Sequence, residues 1–189
     1  QLNTRCESLL EKTVEPLNVY SSLFASDEIR RDYSLFLWKT LLQNHPHDSI
    51  CGCSVDDVHS EMVTRFKKVL AAGKSVAADE LDKFMSVVDT ASVGTDKVIT
   101  VFNSNGFVSS EAVTVNVDFP ENTDVTPDML AVYDGVKALP IDVEDLGVVF
   151  DYILPKDKFR IPFNTRRFRV TFNAADVPAL GYKSFAVKT

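Results

Sequence analysis

The chain has 189 residues, 45% hydrophobic and 25% charged, which is room for one ordinary domain or two small ones and too apolar for a disordered tail. Its 20 Lys+Arg against 27 Asp+Glu leave a net charge of -7, which argues against a nucleic-acid partner because that needs a positive footprint. No run approaches the ~18 consecutive apolar residues of a membrane span, so a soluble chain without a membrane partner is expected.

Helical spacing dominates the first half. Cys6, Leu9, Leu10, Leu17, Tyr20, Leu23 and Phe24 fall roughly on one helix face, and Pro16 predicts a kink or a restart within it. Ser26 and Asp27 are N-cap candidates for a second helix whose stripe is Ile29, Tyr33, Phe36, Leu37, Thr40 and Leu41, with Trp38 nearby. A third helix is expected from Ser54, with Asp56 and Asp57 in its first turn facing the positive end of the helix dipole. Val55, Val58, Met62, Phe66, Val69 and Leu70 carry its stripe, continued by Leu81, Phe84, Met85 and Val88. Gly73 is the weak point in about 34 residues, or ~50 Å at 1.5 Å per residue. A helix that long needs partners, and an antiparallel three-helix bundle is the simplest way to supply them.

From about residue 92 the pattern changes to alternation broken by turns. Lys97–Asn103 and Ala112–Phe119 read as strands with an Asn105-Gly106 turn between them. Met129–Tyr133, Gly147–Leu154, Arg167–Phe172 and Tyr182–Lys188 read as further strands, with prolines at their edges or between them. Phe102, Phe119, Phe150, Phe168 and Phe172 are the expected core. The expected fold is therefore α+β in two domains: a three-helix bundle over residues 1–92 and a small antiparallel β-sandwich over residues 93–189.

Three cysteines, Cys6, Cys51 and Cys53, are too few for a disulfide framework. A bridge across one residue would be strained, so reduced thiols and a cytoplasmic location are expected. No secretory apolar segment is seen, and a start at Gln1 fits an excised piece of a longer protein.

Chemistry-capable residues concentrate in one connection. All three histidines (His45, His47, His59), two cysteines, and Asp48, Asp56 and Asp57 lie within fifteen residues, most of them between the second and third helices. Residue chemistry leaves three readings of this loop open. His47 and Asp48 would give a nitrogen and an oxygen to a divalent metal. Alternatively, His45, His47, Cys51 and Cys53 would form a compact zinc knot, at a spacing tighter than usual. The third reading is a solvated connector whose histidines cap the preceding helix. His59, inside the third helix, reads as an ordinary helix residue. Elsewhere there is no phosphate loop, nucleophile elbow, H-E-x-x-H pair or C-x-x-C. Asp142, Glu144 and Asp145 read as a solvated loop, and Arg166, Arg167 and Arg169 as a surface salt-bridge ladder rather than an anion site.

Leu42-Gln43-Asn44-His45-Pro46-His47-Asp48-Ser49-Ile50-Cys51-Gly52-Cys53-Ser54 resembles the signature in the middle region of glycoside hydrolase family 38, the retaining α-mannosidases. Pro46 between the histidines resembles the bacterial branch that includes mannosylglycerate hydrolase. Val101-Phe102-Asn103-Ser104-Asn105-Gly106-Phe107 is similar to the strand that opens the family's β region. Val177-Pro178-Ala179-Leu180-Gly181-Tyr182 is similar to a later turn of the same region, so the likeness spans nearly the whole chain.

The resemblance implies that His47 is the last protein ligand of a catalytic zinc, and that Asp48 contacts hydroxyls of the bound mannose. Gly52 and Ser54 would be the turn and cap of the third helix. The remaining ligands, the nucleophile and the acid/base carboxylate belong to an N-terminal catalytic α/β domain of the same polypeptide. A C-terminal β region of that polypeptide and an α-mannoside substrate are the other implied partners. Retaining hydrolysis needs two carboxylates about 5–5.5 Å apart, so the isolated chain is expected to be inactive and without its zinc. An excised bundle would expose an apolar face and so form an artificial homo-oligomer. The rival expectation is a non-catalytic helical and β-sandwich binding or scaffold module.

Overall fold

A computed structural model describes residues 1–25, 29–94, 97–155 and 157–189. The described chain is an α-helical region followed by two small antiparallel β-sheets, and it divides into two compact units, Gln1–Val88 and Asp89–Thr189.

The helical unit starts with α1 (Leu2–Leu9), a π-helical turn (Leu10–Val14) and α2 (Glu15–Phe24), which follow one another without a break. Pro16 has no N–H, and its ring crowds the carbonyl four residues back. The chain does not restart there. The Glu15 N–H reaches back five residues to the Leu10 carbonyl, and this single wide turn absorbs the irregularity while Cys6, Leu10, Val14 and Leu17 stay buried.

α3 (Arg31–Leu42) buries Leu37, Thr40 and Leu41. The expected Ser26–Asp27 cap lies outside the described residues. Ile29, Tyr33 and Phe36 are about half exposed rather than core. Tyr33 and Phe36 line a groove of about 450 Å³ beside α5 (Asp56–Met85), with Arg30 over the Tyr33 ring and Lys68 over the Phe36 ring. The cationic stems cover the rings, so less apolar surface faces water than the exposures suggest.

α5 starts two residues after Ser54, and no side chain caps it. Met62, Phe66, Val69, Val76, Ala77 and Phe84 follow helical spacing on its buried face, whereas Val55 is exposed. Gly73 sits in that stripe as a point of close approach. A Cβ there would lie 2.9 Å from Leu9 Cδ2 and 3.4 Å from Leu9 Cγ, so the missing side chain brings α1 close to α5. One core joins Cys6, Leu10, Val14 and Leu17 to Leu37 and Leu41 of α3 and to Met62 through Ala77 of α5.

Among its described residues the second unit has seven strands: β1 (Lys97–Asn103), β2 (Ser109–Pro120), β3 (Ala131–Asp134), β4 (Lys137–Leu139), β5 (Ile141–Ile153), β6 (Ile161–Val177) and β7 (Gly181–Lys188). One sheet runs β1-β7-β3-β4 and the other β2-β6-β5, every pairing antiparallel. β1 and β2 are therefore not hairpin partners across Asn105-Gly106, because the chain passes there from one sheet to the other. Alternation along β6 points Phe168, Val170, Phe172 and Ala174 inward, where they share a core with Ile99, Val132, Phe185 and Val187 of the first sheet. Phe172 and Phe185 meet edge to face with centroids 5.0 Å apart. Phe119, Phe168 and Phe172 are buried as expected, but Phe150 is 60% exposed, near the far end of the long β5–β6 hairpin.

The acidic residues read as a loop are part of β5. Glu144 stands opposite Arg169 and bonds it at 2.6 Å, and Asp145 pairs with Arg166. Arg167 holds both oxygens of Asp118 at 2.7 Å and Asp151 at 2.8 Å. The arginines thus form the expected salt-bridge ladder, and its anions come from β2 and β5.

Candidate functional site

The polar loop is anchored at its start. Asn44, fully buried, donates to the Met62 carbonyl at 3.0 Å and accepts from Arg65 Nη1 at 3.4 Å. His45 Nε2 contacts Asn3 Oδ1 at 2.8 Å, which ties the loop to α1. Pro46 then opens a single helical turn, α4 (His47–Ile50): the Ser49 and Ile50 N–H groups donate to its carbonyl, and the Cys53 N–H returns to the Asp48 carbonyl at 2.9 Å. Gly52 closes this turn at φ +82°, a backbone state that a side chain would strain.

Beyond the anchor the side chains face outward. His47 Nε2 lies 3.3 Å from Asp48 Oδ1, and these side chains are 93% and 69% exposed. The Cys51 and Cys53 sulfurs are 3.4 Å apart, and both residues are exposed. His59 is half-buried in α5.

The loop does not gather these groups around a point. Among the described residues no group of three or more His, Cys, Asp or Glu side chains is placed to hold a metal ion. This overturns the expectation that the chain supplies part of a zinc centre through His47, and it equally removes the four-residue zinc knot. The physical reason is geometric. His45 is spent on Asn3, His47 faces only its neighbour, and the two sulfurs face each other.

Two polar centres carry no signal that residue type alone would flag. The first is Glu80, fully buried on the apolar face of α5. It accepts from Ser21 Oγ and pairs with Arg30 Nε at 3.0 Å and Lys83 Nζ at 3.4 Å. Its one sequence mark is a carboxylate sitting at helical spacing between Val76, Ala77 and Phe84.

Asn103 is the second. Its Nδ2 donates to the carbonyls of Phe107 at 2.7 Å, Val177 at 3.1 Å and Pro178 at 3.2 Å, and its Oδ1 accepts from the Asn105 N–H at 2.9 Å. The Leu180 N–H bonds the Asn105 carbonyl at 2.9 Å, and the Phe102 and Tyr182 rings lie 6.0 Å apart. The 101–107 and 177–182 motifs are therefore two sides of one knot. Asp176 and Leu180 take positive φ there, and a Cβ on Gly181 would meet Pro178 Cγ at 3.1 Å. Asn103 and Asn105 thus hold the two motifs together.

The chain is thus a helical unit with an exposed polar turn followed by a two-sheet antiparallel unit, and comparison with known families identifies both. Residues 1–84 match the alpha mannosidase middle domain, and residues 121–189 match C-terminal domain 1 of the glycosyl hydrolases family 38. The chain belongs to glycosyl hydrolase family 38, in its middle and C-terminal-domain region.

Over 199 aligned residues it is 35% identical to a protein of Halalkalibacterium halodurans named "Putative mannosylglycerate hydrolase", covering 97% of this chain and 22% of that one. Among solved structures it is similar to an alpha-mannosidase from Enterococcus faecalis V583, with 35% identity and a TM-score of 0.85 over 99% of this chain and 23% of that one. It is also similar to a protein in glycosyl hydrolase family 38 from Enterococcus faecalis, with 30% identity and a TM-score of 0.80 over 100% of this chain and 24% of that one. The chain thus spans between a fifth and a quarter of the length of these relatives. Among the described residues no helix is long and apolar enough to cross a membrane.

Proposed function

We propose that this chain is a non-catalytic scaffold and binding module of a larger family 38 hydrolase. In this reading the helical unit is an antiparallel three-helix bundle over residues 1–92, and the β unit is a small sandwich over residues 93–189. The full-length protein would hydrolyse α-mannosides, and the name of the Halalkalibacterium relative makes mannosylglycerate a substrate to try first. Its catalytic carboxylates, and the donors that assemble any zinc centre, would come from elsewhere in the polypeptide: an N-terminal α/β domain and a further C-terminal β region are the partners of this module.

One observation carries the reading. The two matched family regions are a middle domain and a C-terminal domain, and no convergent metal-ligand cluster accompanies them among the described residues. The polar knot at Asn103 supports it, since a side chain spending donor and acceptor atoms on backbone has a fold-building role.

The test is to prepare the 189-residue chain, verify its fold by circular dichroism, and measure bound zinc and turnover of an aryl α-mannoside. A folded, metal-free and inert chain is the expected result. Stoichiometric zinc or measurable hydrolysis by the chain alone would overturn the module reading.

A further inference from the structure

The Cys51-Gly52-Cys53 turn is unused by the module reading, and its geometry suits two-electron sulfur chemistry. The two sulfurs are 3.4 Å apart, close enough for the Cys51 S–H to point at Cys53 Sγ, and both residues are exposed. Closing them into a bond needs a movement of only about 1.4 Å, given the ~2.05 Å of a disulfide. Nothing lies within 4 Å of where a Gly52 Cβ would sit, so no side chain packs over the turn at that point. The third cysteine is a contrast: Cys6 is fully buried and donates to the Phe66 carbonyl at 3.6 Å, out of reach of any reagent in water. Binding a metal is the other common use of paired thiols, but such sites usually recruit further donors, and among the described residues none complete a cluster here.

We propose that Cys51 and Cys53 form a vicinal dithiol that undergoes reversible exchange with low-molecular-weight disulfides. One thiolate attacks a sulfur of RS–SR. A mixed disulfide forms, the S–S bond of the reagent breaks, and one RS⁻ leaves with the electron pair. The second cysteine, as its thiolate, then attacks the protein sulfur of that mixed disulfide and expels the other RS⁻. The two thiol protons end on the two released RSH molecules, so the protein is oxidised by two electrons and one RS–SR is reduced to two RSH. A ring closed across a single residue is strained, and strained, exposed disulfides are the readily reduced ones, so the bridge opens again when thiol is in excess. This inference stands independently of the module reading, because it depends on the loop alone.

The experiment is incubation of the 189-residue chain with oxidised glutathione, followed by mass spectrometry of the intact chain and of the peptide spanning residues 51–53. The wild type is expected to lose two hydrogens, to keep no glutathione on that peptide, and to regain the dithiol in excess reduced glutathione. Cys51→Ser and Cys53→Ser, with folding checked by circular dichroism, are each expected to accumulate one glutathione that persists. Stable glutathione adducts on the wild-type peptide with no loss of two hydrogens would overturn the proposal. So would a bridge that excess reduced glutathione fails to open.

Discussion

Replacing Asn103 by alanine isolates what the β-unit knot is worth. The change deletes the donor to the carbonyls of Phe107, Val177 and Pro178 and the acceptor for the Asn105 N–H. The Val177 carbonyl is the buried one of these, and leaving it unpaired costs about 1–3 kcal/mol. The other bonds are part-buried and contribute roughly 0.5–1 kcal/mol each, so the total is about 3 kcal/mol. That is a large fraction of the ~5–15 kcal/mol that holds a domain folded. In urea, at roughly 1–3 kcal/mol per molar, it shifts the midpoint of the β-unit transition by about 1–3 M. Far-UV circular dichroism reads that transition. Trp38, the only tryptophan, lies in α3 and reports the helical unit separately by fluorescence. Asn103→Asp sharpens the test, since it keeps the acceptor for Asn105 but turns a carboxylate toward three carbonyls, and should be the worse of the two. A loss under about 1 kcal/mol for the alanine variant, or an aspartate variant as stable as wild type, would refute the role assigned to the knot.

Glu80→Ala removes the buried partner of Arg30 and Ser21 and should cost about 3 kcal/mol in chemical denaturation, with Glu80→Gln intermediate; equal stability of all three proteins would contradict the placement of Glu80. Gly73→Ala sets a helix-propensity gain of up to ~1 kcal/mol against contact with the mobile end of Leu9, so its net effect should stay within about 1 kcal/mol. Gly73→Leu overfills that approach and should lose about 2 kcal/mol or more, as a thermal melt would reveal. The Arg167 guanidinium, aided by the Tyr152 N–H, holds Asp151 below its ordinary 3.8, so the associated stability is present above pH 3.8 and is lost as the pH falls through the lowered folded value. Melting temperature measured against pH should accordingly fall more steeply below pH 4 in wild type than in Arg167→Met, and parallel curves would remove the ladder as the cause.

The helical region and most strands were legible because apolar periodicity is a local property: 3.6 and 2 are written in neighbouring residues whatever they later touch. The family motifs were legible too, as strings. Partnership was not. Nothing near Lys97–Asn103 says that its neighbour is β7, some 84 residues on, rather than β2, the next strand in the chain. Hence the 101–107 and 177–182 motifs could be quoted without knowing that Asn103 ties them together. α3 failed in a similar way: periodicity marked a stripe from Ile29 to Leu41, but the facing helices decide which edge is covered, and Tyr33 and Phe36 line a groove instead.

The loop of residues 44–54 separates the two kinds of knowledge. Its composition, two histidines, an aspartate and two thiols in a short span, is fixed by sequence and suggested metal chemistry. Coordination requires several donors to converge on one point within about 2–2.5 Å, and convergence is a property of tertiary placement. In the folded chain His45 turns to Asn3, His47 faces Asp48, and Cys51 faces Cys53. The sequence by itself determined which groups are present, whereas only the packing of α1, α4 and α5 decided which of them meet.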